Sequence, residues 1–255
     1  TYGLTLTGSA NGTITSIIGT TSGTLTKNGS GTWTLSGANT YTGATNINEG
    51  TLQLGVANAI KTNGGSVILN GGTLSSGSGA GFTNGSSGTP MGTLKLTSNS
   101  NIVLGTGSHT LAFAASSAEA WTEDAMLTIT GWTGAYNGTS GTAGKLFVGS
   151  STAGLTAIQL NQIQFYNGSA YFPATILSSG EIVPRANYIT TGTITGSSLC
   201  VGAAGVDIPF TYGLASNYSS ATFTAQLSNA SGSFASPVNL ESVASDGSGS
   251  QYLTV

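Results

Sequence analysis

Side chains that titrate, ligate or attack are scarce in this chain. The acids are Glu49, Glu119, Glu123, Asp124, Glu181, Asp207, Glu241 and Asp246, the bases are Lys27, Lys61, Lys95, Lys145 and Arg185, and His109 and Cys200 are the single histidine and cysteine. Cation-assisted cleavage of a polysaccharide needs clustered carboxylates with a base beside them, whereas these acids are dispersed. Glu123 and Asp124 are the only adjacent acids, with Glu119 one helical turn earlier. A glycosidase pair must face each other across about 5–9.5 Å, which sequence spacing does not supply. The trio reads instead as a solvated patch beside a short Ser/Ala-rich helix over 116–122.

One histidine cannot build a His-based metal cluster, and no serine sits in a Gly-x-Ser-x-Gly elbow. His109, within Ser108-His109-Thr110-Leu111, reads as a surface histidine at a strand edge. Cys200 has no partner for an intrachain disulfide, and its neighbours Leu199 and Val201 suggest a buried strand thiol. No cofactor and no metal are expected, and the chain reads as a non-enzyme. Trp33, Trp121 and Trp132 with Tyr41 and Tyr136 are the sugar-stacking candidates. They keep a carbohydrate-binding module or a β-helix polysaccharide-active enzyme as the alternative, with surface glycans or a host or substratum surface as partners. Asn28, Asn84, Asn137 and Asn167 open Asn-x-Ser/Thr tripeptides, which read mainly as turns.

The elements that would position these residues are β-strands. Charged residues make up 5% of the 255 positions, glycine fills 40, and hydrophobic residues reach 38%. That balance excludes the disordered class, which combines low hydrophobicity with high net charge. A formal charge of −3 gives no basic patch for a phosphate backbone, so nucleic acid is not a partner. No run of eighteen apolar residues occurs, so there is no transmembrane helix segment. The apolar residues alternate in short runs, such as Thr32-Trp33-Thr34-Leu35, Thr51-Leu52-Gln53-Leu54, Thr93-Leu94-Lys95-Leu96 and Leu127-Thr128-Ile129-Thr130. Period two between Gly, Asn and Ser marks half-buried strands.

Gly-Thr-Leu recurs from Gly23, Gly50, Gly72 and Gly92, at intervals of 27, 22 and 20 residues. That is the length of one coil of a β-solenoid, in which each coil lies one strand spacing, about 4.8 Å, beyond the last. Leu25, Leu35, Ile47, Leu52, Leu54, Val67, Leu69, Leu74, Leu94, Leu96, Ile102 and Leu104 are the expected inward residues. No coil is stable alone; stacking supplies a core worth roughly 1.5–3 kcal/mol per buried aliphatic side chain. The stretch from Gly23 to Gly55, GTLTKNGSGTWTLSGANTYTGATNINEGTLQLG, closely resembles the autotransporter-associated β-strand repeat, also called the passenger-associated transport repeat. Trp33, Tyr41 and Gly50-Thr51-Leu52 stand in register with it. The resemblance implies a right-handed parallel β-helix displayed on the outer surface of a bacterium, and places Trp33 at a consensus packing position.

Residues 1–126 thus form the solenoid repeats and 127–184 a C-terminal cap. Thr156 with Gln159 has capping-box spacing, so a short helix is predicted over 157–162. Pro184 to Asn187 reads as a linker. Five alternating segments follow within 188–255. They resemble the immunoglobulin-like modules of secreted surface proteins of Bacteroidota, in Ile189-Thr-Thr-Gly-Thr-Ile194, Phe223-Thr-Ala-Gln-Leu-Ser228 and Gly232-Ser-Phe-Ala-Ser-Pro-Val238, and imply export by type IX secretion. The fold class is therefore all-β, with a partial immunoglobulin-like sandwich after the solenoid. Such a sandwich has about seven strands, and five leave an open edge. Tyr2, Leu4 and Leu6 are the candidate self-association strand and Tyr252, Leu253 and Val255 the candidate acceptor edge. Copies of the chain would then join head to tail into an extracellular filament with a structural or adhesive role.

Overall fold

The computed structural model describes residues 2–77, 81–186, 188–191, 207–213, 221–227, 229, 231, 233–245 and 248–254. Cys200, Asp246 and Val255 lie outside the described residues. The chain divides into two compact units, Thr1–Ala186 and Asn187–Val255.

The first unit is a large, mostly parallel sheet system wound as a β-solenoid. Strands β1 (Leu4–Leu6), β3 (Leu25–Lys27), β5 (Thr45–Ile47), β7 (Val67–Asn70) and β10 (Met91–Ser98) stack in parallel, with Leu4 opposite Leu25, Leu25 opposite Thr45, Thr45 opposite Val67 and Val67 opposite Leu94. A second face stacks β2 (Gly12–Ile14), β4 (Thr32–Leu35), β6 (Thr51–Leu54), β8 (Thr73–Ser75), β11 (Ser100–Val103), β13 (Leu127–Thr130) and β15 (Ile163–Tyr166). A third face starts at β9 (Thr83–Asn84) and continues through β12 (Thr110–Ala114) and β14 (Lys145–Val148).

The third face explains why the repeat is uneven. Coils advance 19 residues from Trp33 to Leu52 and 22 from Leu52 to Leu74, then 28 from Leu74 to Ile102, once β9 has been added. The Gly-Thr-Leu signature does not mark one face either. Leu25 and Leu94 lie on the first face, and Leu52 and Leu74 on the second. The interval of 27 from Gly23 to Gly50 is thus a coil plus a change of face. All twelve expected inward residues are buried, none more than 2% exposed. Side chains alternate across each strand, so in-register stacking aligns them into mainly apolar columns, interrupted on the first face by Thr45 and Lys27.

The far end of the solenoid is closed by a change of strand direction. Strand β16 (Tyr171–Ile176) runs antiparallel to β15, and β17 (Glu181–Pro184) runs antiparallel to both β16 and β14. The predicted helix is α1 (Ala157–Asn161). Its capping box is complete: Gln159 N–H donates to Thr156 Oγ1 at 3.1 Å, and Thr156 N–H donates to Gln159 Oε1 at 2.8 Å. The helix expected over 116–122 is not formed; that stretch is a turn. Its carbonyls are taken by glutamines of the α1 segment. Gln159 Nε2 donates to Ser116 O and Glu119 O, and Gln162 Nε2 to Thr122 O and Ala125 O. A helix needs those carbonyls for its own i→i+4 bonds, so tertiary contacts win over local propensity.

In the second unit, β18 (Tyr188–Thr191), β19 (Asp207–Gly213) and β22 (Ser248–Thr254) form one antiparallel sheet in the order β18-β19-β22, and β20 (Ala221–Leu227) pairs with β21 (Val238–Ser245). Phe210, Tyr212 and Leu253 form its buried cluster. Phe223 of β20 meets Phe210 at 4.9 Å and Tyr212 at 4.7 Å between ring centroids.

Candidate functional site

The most unusual polar centre of the first unit is one that alternation alone conceals. In Leu25-Thr26-Lys27 the third residue takes an inward position, between Leu6 and Ile47 in the stacked column. Lys27 is fully buried. Its ammonium donates to the carbonyls of Asn28 at 3.0 Å, Gly29 at 2.6 Å and Glu49 at 3.0 Å. Those carbonyls belong to the same corner in two successive coils, turned by Gly29 (φ +71) and Gly50 (φ +62). A Cβ on Gly50 would stand 2.6 Å from Gly31 O and 2.8 Å from Lys27 Nζ, so this corner excludes a side chain. Burial lowers the Lys27 pKa from its usual 10.5, partly countered by the Glu49 carboxylate. A lysine in register with leucines was the only signal in the sequence.

Asparagines tie the coils at this corner and at one other. Asn48 Nδ2 donates to Asn28 Oδ1 at 2.8 Å, Asn70 Nδ2 to Asn48 Oδ1 at 3.1 Å, and Thr97 Oγ1 to Asn70 Oδ1 at 3.0 Å. Inside the coil, buried Asn39 accepts from Ile18 N–H and donates to Ala59 O. Buried Asn84 accepts from Ile60 N–H and donates to Val56 O. Asn84, one of the Asn-x-Ser/Thr asparagines, is thus fully enclosed. These amides satisfy corner groups that no strand ladder reaches.

Among the described residues, the acids do not come together into one cleft. Glu119 accepts from Thr93 Oγ1 at 2.6 Å, while Glu123 and Asp124 line a shallow recess with Thr97, Ser98, Asn99, Thr122 and Ala125. Among the described residues, no three His, Cys, Asp or Glu side chains form a metal-binding group. Glu181 is buried in the closing sheet, where it accepts from Ser140 Oγ at 2.7 Å and Gly141 N–H at 3.0 Å, with Lys145 Nζ 3.9 Å away. Lys145 also donates to Ser140 Oγ at 2.7 Å. Ser140 thus bridges Lys145 and Glu181.

His109 corrects the surface assignment: it is fully buried. Its Nδ1 accepts from Phe82 N–H at 3.4 Å, its Nε2 lies 2.7 Å from Thr106 O, and its ring stands edge-on to Phe82 at 4.4 Å. The third face, which the strand reading did not resolve, is what covers it. Of the candidate stacking aromatics, Trp132 and Tyr136 come together and the other three are dispersed. Trp33 is half-buried, lies over Gly12 and donates from its indole to Thr7 O at 3.2 Å. Tyr41 is buried and bonds Thr45 Oγ1 at 2.8 Å. Trp121 donates to Leu94 O, and Trp132 packs with Tyr136 and Phe165 under the cap.

The candidate association residues lie in different settings. Leu4 and Leu6 belong to β1, which pairs with β3; Leu6 is buried, while Tyr2 is 90% exposed. Donating this strand would require β1 to leave β3. Tyr252 and Leu253 lie on β22, opposite Pro209 and Ile208 of β19. Among the described residues β22 is paired on one side only. Beside it lies a groove of about 390 Å³ lined by Ile189, Ile208, Phe210, Phe223, Ala225 and Leu253, with Thr222, Thr224 and Gln226 along the β20 edge. Ile189 is half-exposed at its mouth.

Residues 25–54, which run from β3 through β6 and include the Lys27 corner, match the passenger-associated transport repeat. That match suggests a secreted, autotransporter passenger-type protein. No curated protein and no solved structure matches the chain.

Proposed function

We propose that this chain is a structural or adhesive segment of a protein displayed outside a bacterial cell, and that it has no catalytic role. The observation that carries this reading is the continuous ladder: seven strands stack on the second face alone, from β2 to β15, and the repeat match lies within it. Parallel crossovers are right-handed in nearly all proteins, which supports a right-handed coil. A ladder of this kind resists extension because every internal coil is bonded to both neighbours. The second unit, with two antiparallel sheets sharing one aromatic cluster, fits a partial immunoglobulin-like sandwich, and its likeness to Bacteroidota modules favours export by the type IX route.

The open β22 edge and the groove beside it favour self-association as the mode of action. The groove would take the Tyr2–Thr7 strand of another copy, joining copies head to tail. Electron microscopy of the purified chain, alone and without Thr1–Thr7, tests this. Filaments that disappear with the deletion are expected; monomers only, or assembly indifferent to the deletion, would remove the polymer reading. Incubation with neutral and acidic polysaccharides tests the catalytic alternative: products lost on Glu123→Gln or Glu181→Gln would establish an enzyme instead.

A further inference from the structure

Seven asparagines of this chain are followed by glycine: Asn11, Asn28, Asn63, Asn70, Asn84, Asn137 and Asn167. An Asn-Gly pair carries its own electrophile and nucleophile, the side-chain amide carbon and the glycine backbone nitrogen, with no glycine side chain to hinder their approach. What differs among the seven is how the fold holds those two groups. Asn84 is fully buried, and its amide is bonded at both ends, to Ile60 N–H and Val56 O. Asn70 Nδ2 donates to Asn48 Oδ1, its Oδ1 accepts from Thr97 Oγ1, and Gly71 N–H donates to Ser100 Oγ at 2.9 Å. Asn167 Oδ1 accepts from Ser169 N–H at 3.0 Å and from Ala170 N–H at 2.8 Å. Asn137 Oδ1 accepts from Thr139 Oγ1 at 2.7 Å, and Gly138 N–H donates to Pro184 O at 2.8 Å. Asn28 Oδ1 accepts from Asn48 Nδ2, and Asn11 Oδ1 from Thr32 N–H, each at 2.8 Å.

Asn63-Gly64 is the exception. Asn63 is exposed in the corner between β6 and β7, at φ +51, a conformation that asparagine adopts more readily than most residues. Its N–H donates to Pro90 O at 2.7 Å and fixes the backbone there. Among the described residues, neither the Asn63 side-chain amide nor the Gly64 N–H has a hydrogen-bond partner. We infer that Asn63 is the position at which this protein deamidates spontaneously. The Gly64 nitrogen attacks the Asn63 side-chain amide carbon. The new C–N bond closes a succinimide as the Cγ–Nδ2 bond breaks, and ammonia leaves with the glycine's amide proton. Water then opens the imide at either carbonyl, which gives aspartate or isoaspartate. No cofactor or second protein takes part. The product adds one negative charge to a formal charge of −3, two positions from Lys61. This inference goes beyond the surface role and does not rest on it.

The test is to hold the full chain at mildly alkaline pH, folded and in parallel in urea, and to follow each Asn-Gly pair by peptide mass mapping. In the folded chain Asn63 converts first, at least about tenfold faster than Asn70, Asn84 and Asn167. Each of those must first break more than one hydrogen bond, and tenfold corresponds to about 1.4 kcal/mol. In urea the seven rates draw together, because every pair then has the same glycine and no fold to hold it. An Asn63→Gly variant, which keeps the left-handed φ without strain, no longer develops the dominant acidic form on ion exchange. Another pair converting first in the folded chain overturns the proposal. So does Asn63 converting no faster than the tied asparagines. A lead for Asn63 that persists unchanged in urea overturns it as well, since that places the preference in local sequence and not in the fold.

Discussion

Replacing Lys27 with methionine isolates what its ammonium does, because the unbranched stem continues to fill the column between Leu6 and Ile47. The variant leaves the Asn28, Gly29 and Glu49 carbonyls without the donor they share. A hydrogen bond from a charged group is worth about 1.5–3 kcal/mol net, and three bonds from one ammonium are not additive. Relief of its burial cost offsets part of the loss. The expected result for Lys27→Met at neutral pH is destabilisation of about 3 kcal/mol, read as a lower midpoint in urea unfolding followed by circular dichroism. Faster amide exchange should concentrate at Asn48, whose N–H bonds Lys27 O, and at Thr51, whose N–H bonds Gly31 O. The pH dependence adds a second check. Lys27 has its pKa lowered from 10.5, so over the window just below 10.5 the unfolded chain holds a proton that the folded one has released. Stability of the parent then rises with pH relative to the variant, and the gap between them widens. A variant as stable as the parent, with a gap independent of pH, would refute the assignment of this corner to the ammonium.

Three further outcomes follow from other buried groups. Burial pushes the Tyr41 hydroxyl from 10.0 up to about 12, so the folded state keeps a proton the unfolded state loses. The parent should lose about 3 kcal/mol between pH 10 and pH 12. Tyr41→Phe should cost about 1 kcal/mol at neutral pH, for the bond to Thr45, and should flatten that alkaline decline in a pH series of unfolding midpoints. Asn84→Ala strands the Ile60 N–H and the Val56 carbonyl inside the coil, for about 2–4 kcal/mol. Asn48→Ala, on the half-buried ladder, should cost about 1 kcal/mol; equal losses for the two asparagines in urea titrations would contradict the difference in burial.

Much of this protein was legible in its residue order because a β-solenoid is close to one-dimensional. Alternation identified all twelve inward aliphatics, since side chains in a strand have no third direction. The Thr156–Gln159 pair located the helix, because a capping box is satisfied within four residues. Short-range chemistry of this kind is written directly in the sequence.

What the sequence did not determine depends on which face a strand joins. The Gly-Thr-Leu words recur on two faces, so their spacing overstated one coil and concealed the third face at Thr83, Thr110 and Lys145. That face encloses His109, which sequence context alone placed at the surface. The turn at 116–125 carries residues suited to a helix, yet Gln159 and Gln162, some forty positions later, take its carbonyls. Lys27 reads as an ordinary cation until stacking puts it among leucines with three carbonyls around its ammonium. The repeat's strands were thus set by local alternation, whereas the polar corners and the buried histidine were decided by long-range stacking. Hydrogen-bond partners about twenty to forty residues apart leave no local trace in the chain.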